Sequence, residues 1–135
     1  MAIDQSFHTI SELELSKAFT LELRERYDFG VEQIVLREMA WGLGDDNSWC
    51  LLGNVDGKEI MPLWPAPEYA EACAFGQFAG FLPKAITLDD VLNKWLPSLS
   101  AFGRLAAVFP ARDHRSLVVP ADQLKVDLLE GCSQR

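Results

Sequence analysis

The sequence predicts a small α+β domain: a mostly antiparallel sheet of about five to six strands that begins with a three-stranded meander and packs against N-terminal, middle and C-terminal helices. Three observations predict it. Apolar residues recur at helical spacing through the first quarter of the chain. Short apolar runs then alternate with turns rich in Asp, Asn and Gly. Prolines punctuate the later junctions, at Pro65, Pro67, Pro110 and Pro120. With 135 residues the chain has the length of one domain, 1–135, and can bury a core without disulfide or metal staples.

Residues 1–9 are expected to form a loose terminus. A short helix at 12–19 follows, with Thr9 or Ser11 as cap and Leu15, Ala18 and Phe19 on one face. Thr20 is expected to cap a second helix, 20–36, with Glu22 in its first turn. Leu23, Tyr27, Val31 and Ile34 make its apolar stripe, while Arg24, Glu25, Arg26 and Glu32 face away. Gly30 weakens such a helix by about 1 kcal/mol relative to Ala. The stripe keeps its phase across the glycine, so the helix is predicted to run through it.

Met39, Trp41 and Leu43 share one face of the first strand. A polar turn at 44–47 leads to a second strand at 48–52, and a turn at 54–57 leads to the central strand, 58–64. There Ile60, Pro62 and Trp64 share one face, and Met61 and Leu63 the other. Pro62 lacks an N–H, which predicts a bulge or an outward-facing edge position. Pro67 suits the first position of a helix spanning 68–78, whose Ala70, Ala72, Ala74 and Gly76 allow close approach to the sheet. A connector at 81–86 holds one short strand. Thr87 caps the next helix, with Asp89 and Asp90 at its positive end. Val91, Leu92, Trp95 and Leu99 form its stripe, and Pro97 is expected to kink or end it near Leu96. A strand at 104–109, an exposed loop at 111–115 and a strand at 116–119 come next. Pro120 then opens a helix with Leu124 and Leu128 inward, closed by Gly131.

Composition narrows function by exclusion. The net charge of −8, from 20 acidic and 12 basic residues, argues against nucleic-acid binding and suits encounter with a basic protein. No apolar run reaches the roughly 18 residues of a membrane helix, and residues 1–8 do not read as a secretory signal, so a cytoplasmic location is expected. Cys50, Cys73 and Cys132 form no Cys-x-x-Cys pair. Cys50 and Cys73 sit in apolar company and read as buried small hydrophobes. No cofactor or metal is expected.

The order of signatures along the chain adds a resemblance. Arg26-Tyr27-Asp28-Phe29, Trp41-Gly42-Leu43, Met61-Pro62-Leu63-Trp64-Pro65 with Tyr69-Ala70, Trp95-Leu96-Pro97 and Val108-Phe109-Pro110 follow one another. From about Leu15 to Leu128 the series resembles the uncharacterised bacterial family called domain of unknown function 2750. That resemblance implies a small cytoplasmic α+β protein and transfers no catalytic residue. The second half is also similar, more faintly, to the N-terminal domain of serine-sensitivity-enhancing proteins. This second similarity implies protein–protein roles, toxin immunity among them.

Two kinds of site compete. Asp45-Asp46-Asn47 has cation-binding residue types but lacks the spacing of a calcium loop, so a solvated turn is the reading. Asp89-Asp90 read as helix-start stabilisers. Of the two histidines, His8 falls in the loose terminus, which leaves His114 as the acid–base candidate. Arg112, His114 and Arg115 make the one basic concentration, suited to a carboxylate or phosphate. The aromatic residues Trp49, Trp64 and Tyr69 are the candidates for an interface, since aromatics anchor interfaces. The leading expectation is a non-enzymatic module that binds a protein partner or forms a homodimer through that aromatic patch. The alternative is a small-ligand or hydrolytic domain centred on Arg112, His114 and Arg115.

Overall fold

A computed structural model describes residues 9–134 of the chain; the expected loose terminus before Thr9, His8 included, lies outside the described residues. Helix α1 (Glu12–Phe19) opens on a reciprocal capping box. Ser11 Oγ accepts from the Glu14 N–H, and the Ser11 N–H donates to Glu14 Oε1, both at 3.1 Å. Thr20 closes this helix rather than capping the next. Its hydroxyl donates to the Lys17 carbonyl at 2.8 Å, so Glu22, without a side-chain bond, precedes α2 (Leu23–Arg37). The helix runs through Gly30 as expected, and the reason is contact. A Cβ there would stand 2.7 Å from Val108 Cγ1 and 3.2 Å from Phe109 Cδ2. Leu23, expected on the stripe, is exposed, whereas Arg26, expected to face away, is 4% exposed.

The strands are β1 (Met39–Gly44), β2 (Leu52–Val55), β3 (Lys58–Leu63), β4 (Leu82–Thr87), β5 (Leu105–Val108) and β6 (Val118–Pro120). They divide into two sheets where one was expected. β1 pairs antiparallel with β4, and the other sheet runs β2-β3-β5-β6 with β3 and β5 parallel. The predicted meander is therefore replaced at its first step. β1 meets the following segment only at the Gly44–Trp49 bridge and takes β4 as its ladder partner. The side chains explain this: the Trp49 ring lies over Gly42, where a Cβ would come within 2.9 Å of it. A bridge between Trp41 and Trp64 joins the two sheets, with N–H···O distances of 2.7 Å in both directions.

Pro62 sits where its missing donor costs nothing. The Leu63 carbonyl accepts from the Phe109 N–H at 2.7 Å, so the backbone at Leu63 faces β5. Pro62 then faces the opposite side, beyond Leu52–Ile60, the last pair of the β2 ladder. After β3, Pro67 takes the first position of α3 (Pro67–Ala72), as expected. The helix ends at Cys73, earlier than predicted. Gly76, at φ +60°, then turns the chain into one 3-10 turn, Gly76–Phe78.

Thr87 caps the long helical run that follows, its Oγ accepting from the Asp90 N–H at 3.1 Å. That run consists of α4 (Leu88–Asp90), a π turn (Val91–Trp95) and α5 (Leu96–Ala101). Pro97 does not end it. The π turn just before the proline takes up the residue whose bonding Pro97 would disrupt, and the helix continues. α6 (Ala121–Ser133) runs two residues past Gly131, burying Leu124 and Leu128. Its Gly131 lies against Val35 of α2, where a Cβ would meet Val35 Cγ2 at 3.0 Å.

Trp64, Tyr27, Phe78, Phe109 and Leu63 are among the largest side chains of the single core. Phe109 is its aromatic hub. Its ring centroid lies 4.5 Å from Tyr69, 5.8 Å from Phe19 and 6.1 Å from Phe29. Such pairs add about 0.5–1.5 kcal/mol each beyond area burial. Among the described residues, no helix is long and apolar enough to cross a membrane.

Candidate functional site

The β5–β6 connection, residues 109–117, leaves the sheet at the carboxyl end of its parallel strand pair, beside the turn from β3 into α3. In open sheets such ends are where ligands gather. Two bulky residues of this loop adopt left-handed backbone, Phe109 at φ 68° and His114 at φ 66°. A conformation of this kind costs of order 1–3 kcal/mol and needs its surroundings to hold it.

Three buried side chains from three elements do the holding. Arg26 of α2 donates from Nε to the Phe109 carbonyl, from Nη1 to Leu21 and from Nη2 to Arg115, each at 2.8 Å. The Trp64 indole donates to the Pro110 carbonyl at 2.9 Å. The Cys73 thiol points at the Pro110 and Ala111 carbonyls, at 3.5 and 3.4 Å. Loop carbonyls are thus turned inward onto fixed donors. Arg112, Asp113 and Arg115 stand outward and exposed.

The six residues expected at binding sites divide sharply. Trp64, 0% exposed, and Tyr69, 3% exposed, are core residues, so neither lies on a surface that a partner would meet. Trp64 acts on the loop from beneath. Half-buried Trp49 packs elsewhere, its ring 4.7 Å from Trp95 with the Lys84 ammonium 4.2 Å above it. Arg112, His114 and Arg115 share the β5–β6 loop but face different surroundings, and of the three His114 and Arg115 line one cavity. The Arg112 guanidinium lies 5.7 Å over the Phe19 ring. His114 Nε2 is 3.3 Å from the Cys73 carbonyl; a carbonyl only accepts, so the bond forms in the tautomer that carries its proton on this nitrogen. The imidazole is held against Phe75 and Phe78, at centroid distances of 5.2 and 4.9 Å.

Concave surface lies on both sides of Arg115. A cavity of about 540 Å³ is walled by Phe19, Leu21 and Leu23, with Arg26 and Arg115 among its lining. A second, of about 370 Å³, is bounded by Ile60, Gln77, His114, Arg115 and Val118. Both sizes fall in the range of small-ligand sites. A larger cleft of about 660 Å³ lies between α2 and α6, and several of its polar groups are paired. Asp127 accepts from the Tyr27 hydroxyl and from Gln123, and Asp28 accepts from Arg24.

Electrostatics oppose nucleophilic chemistry at the two buried thiols, Cys73 and Cys50. Burial pushes the Cys73 thiol up to about 12 and the Cys50 thiol up to about 11. Asp45, in the 44–47 turn, accepts from the Asn47 and Ser48 N–H groups, which hold its carboxyl below the usual range. Among the described residues, no group of three or more His, Cys, Asp or Glu side chains is placed to hold a metal.

The family model described as protein of unknown function (DUF2750) matches residues 27–128. The chain belongs to that family. The DUF2750 match includes Arg26's neighbour Tyr27, the residues Trp64 and Cys73, and the whole β5–β6 loop. No curated protein and no solved structure matches the chain, and the similarity to serine-sensitivity-enhancing proteins finds no support. Sequence reading missed Arg26, which it placed on the outer face of α2. The available signal was Gly30, one turn further along the same edge of the helix, where a neighbour had to approach closely.

Proposed function

We propose that this chain is a non-enzymatic binding module whose recognition element is the β5–β6 loop. One observation carries the reading: Arg26, Trp64 and Cys73 fix the loop carbonyls from beneath, while Arg112 and Arg115 project outward. A loop ordered before encounter loses little entropy on binding, which favours recognition. The inert thiol at Cys73 and the tethered His114 imidazole fit a structural support better than a nucleophile and base. On this reading the partner is a protein in the bacterial cytoplasm, and the role is regulatory or immunity-like. The acidic remainder of the surface steers orientation, leaving the basic loop as the place where an acidic group docks.

A second reading, a small-ligand domain, draws on the two cavities that flank Arg115. Affinity capture from cytoplasm with the parent and with an Arg112→Gln/Arg115→Gln variant tests the binding module. Loss of a stoichiometric protein partner from the variant, at unchanged circular dichroism, is the expected result. Retention of every partner by the variant would overturn the proposal.

A further inference from the structure

The two cavities that flank Arg115 differ in charge. In the one beside the α1–α2 corner, Arg24 is paired with Asp28, and Arg26 and Arg115 are balanced by Glu22 and Asp113. The second, of about 370 Å³, has Arg115 as its one Asp, Glu, Lys or Arg among the described residues. Glu22 and Asp113 border the first cavity and not the second. Asp113 is also committed to the main chain, its Oδ1 accepting from the Arg115 N–H at 3.0 Å. The Arg115 carbonyl accepts from Arg26 Nη2 at 2.8 Å and from the Ala111 N–H at 3.0 Å. Its backbone is therefore fixed on both sides. Its guanidinium, by contrast, enters no hydrogen bond and no ion pair among the described residues, so all five N–H donors are unspent on protein.

The floor of this second cavity belongs to the outer face of the four-stranded sheet. Met61, Leu63, Ala106 and Val108 turn into the core, so their alternates Ile60 and Ala107 turn the other way. Ile60 is 5% exposed, yet it stands outside the core cluster, as does fully buried Ala107. Val118, paired with Ala107, shares that face and is half-buried. Ile60 and Val118 both line the cavity. His114 forms a wall, its ring packed against Phe75 and Phe78, and Gln77 adds an amide to the lining. A lone cation thus stands at the edge of an apolar floor. From this placement we infer that the cavity beside β2, β6 and the β5–β6 loop binds a small organic acid. Its carboxylate pairs with the Arg115 guanidinium, whose planar fork matches two carboxylate oxygens, and its apolar body lies on Ile60 and Val118. This inference rests on the small-ligand reading of the loop, and it names which cavity serves that reading and what the ligand is.

Hexanoate serves as the probe, with hexanamide and acetate as controls, in ¹H–¹⁵N correlation spectra of the whole chain. The expected result is saturable movement of the Gly53 and Ser116 backbone amides and the Gln77 side-chain amide, which border the cavity. The Phe19 and Leu21 amides, at the other cavity, should stay in place. Hexanamide lacks the charge and acetate lacks the apolar body, so each should bind at least about tenfold more weakly. Arg115→Gln should weaken hexanoate by about tenfold, the effect of losing one charged partner. Only the backbone of Arg115 takes part in the bonds that hold the loop, so the variant should keep the parent melting temperature. Equal binding of hexanamide or acetate, unaltered binding by Arg115→Gln, or movement confined to the Phe19 and Leu21 amides would each overturn the inference. If partner capture depends on the loop arginines but hexanoate does not bind, the acid site falls and the binding module stands.

Discussion

Gly30→Ala sets two familiar effects against each other in one methyl group. In the interior of an exposed helix the change would stabilise by about 1 kcal/mol, because alanine is the better helix former. At Gly30 the added Cβ would stand 2.7 Å from Val108 Cγ1 and 3.2 Å from Phe109 Cδ2. Neither neighbour can yield. Val108 is 1% exposed and stiff at χ1, and Phe109 is fully buried, with its carbonyl held by Arg26. Overpacking of this kind costs about 1–3 kcal/mol, and the rigid neighbours put the cost near the upper end. The net result should be destabilisation by about 2 kcal/mol, or about 8 °C in Tm for a domain of this size. Urea unfolding followed by circular dichroism measures it. Val108→Ala removes the clashing methyl, so the double variant should be more stable than the sum of the single effects predicts, by about 1–2 kcal/mol. A Gly30→Ala protein as stable as the parent, or more so, would refute the claim that α2 is held against β5 at this contact.

Three further outcomes follow from the same packing. Trp64→Phe removes the indole donor from the Pro110 carbonyl and some core volume, and should cost about 2–3 kcal/mol in urea unfolding. Native protein should react rapidly with 5,5′-dithiobis(2-nitrobenzoate) at one thiol, the half-exposed Cys132, and in urea at all three; fast reaction of native Cys73 would contradict its placement under the loop. Stability should also fall in alkali. Burial first, then the bond to Asp127, raises the Tyr27 pKa, and burial raises Tyr69, Cys50 and Cys73 as well. Below about pH 8 the native and unfolded chains both keep these protons; above it the unfolded chain loses them first, the thiols before the tyrosines, so stability declines from about pH 8 to 12. Thermal melts across that range check the sign, and a Tm that rose from pH 9 to 11 would be incompatible with it.

The sequence by itself determined the local devices of this protein, because each depends on a few neighbouring residues. The Ser11 cap, the Thr87 cap, Pro67 at the start of α3 and the uninterrupted α2 all follow from side-chain chemistry within about one turn of helix. Burial of Cys50 and Cys73 was legible in their apolar neighbours, and the α+β class in the order of periods. Pairing was not. Whether β1 takes the adjacent segment or β4 depends on where the Trp49 ring fits, and that space exists only once Gly42 of β1 is in place. The candidate site divides the same way. A polar loop with Arg112, His114 and Arg115 is visible in the chain, but its stiffness is not. Arg26, Trp64 and Cys73 reach it from positions 83, 46 and 38 residues away in sequence. Only the folded chain brings those donors under one loop, because long-range packing rather than local propensity decides which polar groups lose water together.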